Sequence, residues 1–113
     1  MTHQMRLKPT YFDLIKAGEK IYEIRLNDEK RQKIKVGDEI IFTNEPEPDK
    51  TISTQVVDLI KFKSFKEMAN TLPLNEVGFH KLNADEVVEV CHHFYTPEEE
   101  NQFGVLAIKL KLK

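Results

Sequence analysis

Lys20, Glu23 and Arg25 are the residues of this chain whose types and spacing could do chemistry. A lysine and an arginine can donate to phosphate or carbonyl oxygens, and a glutamate between them can accept from an amino or imino group of a base edge. A desolvated lysine beside a carboxylate can also exchange protons. The three stand in Gly18-Glu19-Lys20-Ile21-Tyr22-Glu23-Ile24-Arg25, where a glycine closes a short helical pattern and a strand-like run follows. Side chains alternate along a half-buried strand, so Glu23 and Arg25 share one face with Ile21. Tyr22, Ile24 and Leu26 then form the opposite, core face. Strict alternation would put Lys20 on that core face, but the turn after Gly18 lets it swing toward Glu23. Glu23 and Arg25 are therefore expected to line a concave surface with Lys20 close by and Tyr22 and Ile24 buried behind. On a solvated strand the same charges would be a surface ion pair worth only ~0–1 kcal/mol.

Aromatic rings that could stack on a base are Tyr11, Phe12, Tyr95 and Phe103. Core packing is the default role of each. Tyr11 and Tyr95 carry phenols that want polar partners, which makes them the cleft candidates. Cys91-His92-His93, with His80 or His3, invites a metal reading. Adjacent helical residues point about 100° apart, whereas zinc ligands are usually spaced further along the chain. Cys91 falls in line with Val87, Val88 and Phe94 and reads as a buried thiol, so neither a metal nor a cofactor is expected.

The elements that must position these residues follow from periodicity and turn chemistry. Met5 to Leu7 reads as a short strand, and Pro9 to Ala17 as a helix that Pro9 opens and Gly18 ends. Lys20 to Leu26 is the strand just described. Asn27 to Lys35 is a polar, basic loop or loose turn, and Asn44 to Lys50, with Pro46 and Pro48, is the one linker-like stretch. Strands are expected over Glu39 to Thr43, Thr51 to Phe62 and Val105 to Leu112. Capping boxes at Ser64/Glu67, Asn83/Glu86 and Thr96/Glu99 open three helices, the first running to about residue 72 and the second to residue 94. Strands before, between and after helices, with too few βα alternations for a doubly wound sheet, give an α+β fold.

At 113 residues the chain is expected to be one domain. No apolar run approaches the ~18 residues of a membrane span, and the N-terminus lacks the apolar segment of a signal peptide. One cysteine and no internal disulfide make a reducing cytoplasm the expected location. A net charge of −2 argues against gripping nucleic acid by bulk attraction. Its distribution is less even, with Lys30, Arg31, Lys33 and Lys35 close to Lys20 and Arg25 and the acidic runs elsewhere.

The order G-x-K-x-x-E-x-R resembles the signature of the ASCH domain family, small PUA-like β-barrels related to RNA-binding domains. The likeness continues through Pro9-Thr10-Tyr11-Phe12, Asn27 to Arg31, Val36-Gly37-Asp38 and Gly104-Val105-Leu106, and so covers nearly the whole chain. It implies a small PUA-like mixed β-barrel flanked by helices. It also implies a domain that holds single-stranded RNA or a modified nucleotide beside the motif strand, through Lys20, Glu23, Arg25, Tyr11 and Tyr95. Some similar family members are amidohydrolases of N4-acetylcytidine, in which the lysine serves as base for a threonine three residues later and a distant carboxylate assists. Lys20 matches that lysine, but Glu23 occupies the threonine position, and Glu76 aligns only loosely with the carboxylate. Without the hydroxyl, covalent acyl transfer lacks its nucleophile. Hydrolysis of a modified nucleoside or RNA cleavage by Lys20 and Glu23 is the alternative to binding, and a basic loop meeting an acidic protein is a third reading.

Overall fold

In the computed structural model, which describes residues 1–113, the strands are β1 (Thr2–Leu7), β2 (Tyr22–Leu26), β3 (Glu39–Asn44), β4 (Thr51–Phe62) and β5 (Val105–Leu112). The helices are α1 (Pro9–Lys16), α2 (Phe65–Thr71), α3 (Leu74–Val77), α4 (Ala84–His92) and α5 (Pro97–Phe103). All strands join one half-barrel sheet in the order β1-β3-β4-β5-β2. β1 runs parallel to β3 and every other pair is antiparallel. The two earliest strands are thus the two edges. Arg25 Nη2 on β2 reaches across to donate to the Arg6 carbonyl on β1 at 3.1 Å.

The α+β barrel architecture is the expected one, and its details differ in ways that local chemistry explains. The motif strand begins at Tyr22 rather than Lys20, because the Lys20 N–H still donates back to Leu14 O and the Ile21 N–H donates to Glu76 O. The first strand starts at Thr2, paired along β3 from Glu39 onward. Asn44 to Lys50 joins no separate units; it is the turn of the β3–β4 hairpin. Helix α4 stops at His92, so His93 and Phe94 lie beyond it. Two capping boxes, Asn83/Glu86 and Thr96/Glu99, close in full. At the third, Ser64 accepts from the Glu67 N–H while the Glu67 carboxylate turns to the Lys63 N–H, leaving half a box.

Both faces of the sheet are covered, and β4 shows how. Ile52 and Val56 face the cluster built with Phe12 and Ile15 of α1, Ile40, Phe42 and Ile108. A β-bulge between Val56 and Asp58 then shifts the alternation by one residue. Beyond it Leu59 continues toward the first cluster, while Ile60 and Phe62 join the second, with Phe65 and Met68 of α2 and Val87 of α4. β5 contributes to both, Leu106, Ile108 and Leu110 to one and Val105 and Ala107 to the other. Each fully buried side chain of this size contributes about 1.5–3 kcal/mol. That double packing makes β5 the rigid neighbour against which β2 is registered, Glu23 opposite Ile108 and Arg25 opposite Leu106.

The start of β1 is tied down by Asp38, which accepts from the chain's amino terminus at 3.3 Å, from His3 Nε2 at 2.8 Å and from the Lys35 N–H at 3.0 Å. Those donors, His3 first, hold its carboxyl down at about 2. Between that value and an ordinary carboxyl near 3.9 the unfolded chain binds the proton more tightly, so stability rises with pH through this window. The contribution is present above it and lost as pH falls through about 2. Urea unfolding should therefore show Asp38→Asn less stable than the parent at pH 5, with the gap closing toward pH 2. A gap independent of pH would mean that charge plays no part.

Candidate functional site

Local chemistry brings the motif residues together. Pro9 opens α1, Phe12 and Ile15 bury its apolar side, and Gly18 ends it with φ of +79°, a conformation that only glycine adopts freely. The turn sends Lys20 inward, where it is 4% exposed. Its ammonium donates to the Tyr22 carbonyl at 2.5 Å and the Val77 carbonyl at 2.7 Å, and lies 3.3 Å from Glu23 Oε1. All three of its N–H groups thus have an acceptor. Glu23, also buried, holds the Arg25 Nε at 2.7 Å with its other oxygen. Lys20, Glu23 and Arg25 therefore form one chain of charge, with the carboxylate clamped between two cations.

Burial pulls the Lys20 ammonium below its usual range, against the opposing pull of Glu23. Burial acts the same way on Arg25, but Glu23 and the Tyr95 phenol outweigh it and raise that guanidinium. The Nε bond to Glu23 and the Nη2 bond to Arg6 leave three of the five guanidinium N–H donors uncommitted by those bonds.

The motif opens into a cleft of about 220 Å³ at the seam between the β1 and β2 edges. Lys20, Glu23 and Arg25 line it, as do Tyr11 and Tyr95, the two aromatic candidates. Phe12 is buried in the core and Phe103 packs into the second cluster. Tyr22 is buried as expected, but Ile24 is half-buried and lines the cleft. The reason is that β2 is an edge strand, so residues of both its faces reach the opening. Glu76 contributes its backbone carbonyl to Ile21, and its carboxylate does not line the cleft. Cys91 is buried at the cleft wall, and burial pushes its thiol up to about 12, so it is a neutral hydrophobe at ordinary pH.

Residues not singled out from sequence complete the rim: Arg6, Leu7 and Lys8 from one side, Glu45 beside them, and Phe94 opposite. Phe94 was expected in the core line of α4, yet it is 50% exposed and its ring lies 5.0 Å from Lys8 Nζ. The Thr96-Pro97 helix start signals that α4 has already ended, so helical phase does not apply at Phe94. The basic loop is not uniform either. Lys30, Lys33 and Lys35 are exposed, whereas Arg31 is half-buried near Arg25 and Tyr95. No cluster of three or more His, Cys, Asp or Glu side chains has a metal-holding arrangement.

Gly78 packs against the Lys20 stem and the Tyr11 ring. Its φ is +99°, and a Cβ there would stand 2.9 Å from Lys20 Cδ, a side chain pinned at its far end by three partners. Gly18 has a similar φ with open space around it. Both alanine substitutions should cost about 1–2 kcal/mol of backbone strain in chemical denaturation. Gly78→Ala should cost measurably more, through displacement of Lys20. Equal losses would show that Lys20 is free to move.

A family model of the ASCH domain matches residues 5–113. The chain is similar over its whole length to hypothetical protein PH0355, whose crystal structure superposes with a TM-score of 0.90 at 37% identity, covering 100% of both chains. It is also similar to protein PF0455 from Pyrococcus furiosus, solved by solution NMR, with a TM-score of 0.80 at 35% identity and coverage of 99% of this chain and 97% of that one. No curated protein matches the sequence.

Proposed function

The chain belongs to the ASCH domain family, and from that premise we propose that its cleft holds a nucleotide of single-stranded RNA or a modified nucleotide. The observation that carries this reading is the buried Lys20–Glu23–Arg25 chain at a cleft walled by Tyr11, Tyr95 and Phe94. A volume of about 220 Å³ is below the ~300–1,000 Å³ of drug-sized sites. It suits a flipped-out base and excludes a duplex. A base entering it meets aromatic faces for stacking and donors of Arg25 for its carbonyl or phosphate oxygens. Glu23 accepts from an exocyclic amine with the lone pairs that its two cations leave free. The lining carries four cations against two carboxylates in a chain of net charge −2, so attraction for an anionic strand is concentrated at the cleft.

The lowered Lys20 favours a second reading, in which Lys20 and Glu23 move protons for hydrolysis of a modified nucleoside. Against it, the cleft lining contains no serine or threonine, and the Cys91 thiol stays protonated. A hydrolytic route would have to attack with water. Titration of short single-stranded RNAs and of cytidine and N4-acetylcytidine, with product analysis of each mixture, tests both readings. Binding without turnover is the expected result. Release of acetate from acetylcytidine, or of RNA fragments, abolished by Lys20→Ala, would replace binding with catalysis, and no binding at all would overturn the proposal.

A further inference from the structure

Resting on that reading of the cleft, we propose that Arg25, Arg6 and Arg31 form a phosphate subsite beside Tyr95, so that the ligand is a phosphorylated nucleotide rather than a bare nucleoside. Arg25 fixes the place: it lines the cleft, donates to the Arg6 carbonyl at 3.1 Å, and has the Tyr95 phenol beside its guanidinium. Arg6 also lines the cleft, is exposed, and has no carboxylate within ion-pair distance. Arg31 comes from the 3-10 turn that follows β2, and local bonds hold that turn rigid. Its own N–H donates to Asp28 Oδ1 at 3.0 Å, and the Gln32 side chain donates to Asn27 O at 2.8 Å.

The Arg31 guanidinium is half-buried, forms no ion pair and makes no hydrogen bond within the chain. Burial and the nearby Arg25 charge both weaken its hold on its proton, and Asp28 offsets this only in part. Glu23, the other carboxylate near this group, is already shared between Lys20 and Arg25. Arg6 and Arg25 in the cleft lining and Arg31 near Arg25 therefore gather planar donors for which Glu23 is the one ion-paired carboxylate, and Glu45, the second carboxylate of the lining, pairs with none of them. A nucleobase carbonyl is neutral and engages one donor. A phosphate is anionic, presents three oxygens, and matches guanidinium geometry in pairs. The exposed Lys33 and Lys35 lie in ordinary solvent and have no such arrangement.

The test compares adenosine, cytidine, guanosine and uridine with their 5′- and 3′-monophosphates by calorimetric titration at fixed salt, using the full chain. The expected result is at least one monophosphate binding about tenfold or more tighter than its nucleoside. Inorganic phosphate should compete for that difference. Arg6→Met combined with Arg31→Met should remove most of the phosphate gain, measured as the ratio of monophosphate to nucleoside affinity, and Lys33→Met with Lys35→Met should retain it. Nucleoside and monophosphate binding equally, or both arginine and lysine variants losing equally, would overturn this subsite and leave the cleft reading standing. No binding of any of these compounds by the folded protein would overturn both.

Discussion

Glu23→Ala is expected to destabilise the fold by about 3–5 kcal/mol, the largest effect of any single change in the motif. The substitution leaves two cations in the protein with no carboxylate between them, and breaking a buried ion pair from one side costs that much. Lys20 suffers most. Its side chain is 4% exposed against 18% for Arg25, so Arg25 can recover water and Lys20 cannot. Glu23→Gln keeps an acceptor for Lys20 and should lose less. Combining Glu23→Leu with Lys20→Met removes the stranded charge and should regain part of the stability, because a hydrophobic replacement of a buried pair is often neutral or better. Chemical unfolding of the four proteins measures this directly. A loss below about 1 kcal/mol for Glu23→Ala would place the pair among surface ion pairs and remove the argument that the cleft is desolvated.

Arg25→Ala is expected to weaken nucleotide binding by about 1–3 kcal/mol, or roughly five- to 150-fold. The size comes from partial burial: the Arg25 side chain is 18% exposed, so ligand oxygens that lose it are left unpaired in a partly desolvated cleft. Neutralising Lys33 and Lys35 together should change affinity less, and mainly at low salt, since exposed charges beyond a Debye length of ~10 Å are screened at 0.1 M. Titrations at two salt concentrations separate the cases. Equal losses for both variants that vanish with salt would describe a nonspecific basic face.

Much of the site was legible in the sequence because it rests on local geometry. Gly18 ends α1, three residues (Glu19 to Ile21) lead into β2, and strand alternation then fixes Glu23 and Arg25 on one side. The inward swing of Lys20 follows from that turn, and the partners it meets come from far along the chain. Val77 ends the four-residue helix α3 and Gly78 caps it, and that helix is too short to leave a periodic signal. The bulge in β4 was equally hidden, since Val56-Val57-Asp58 reads as unbroken alternation until β5 is laid against it. Ile24 was expected behind the site because strand alternation carries no information on which strands are edges. Phe94 was placed in the core by extending helical phase past His92. Arg31 looked like one charge of a solvated run, because nothing in Lys30-Arg31-Gln32-Lys33 tells which side chain the 3-10 turn carries inward.

Nucleotide recognition is expected in the cleft between β1 and β2, through the buried charges of the motif strand. Amide and arginine side-chain NMR shifts of the isotopically labelled protein, followed as a short single-stranded RNA is added, test it most directly. Saturable shifts are expected at Glu23, Ile24, Arg25, Tyr95 and the Arg25 Nε–H, with Lys33 and Lys35 moving little at physiological salt. Shifts confined to the exposed lysines or to the outer helices, with the cleft resonances unmoved, would contradict it.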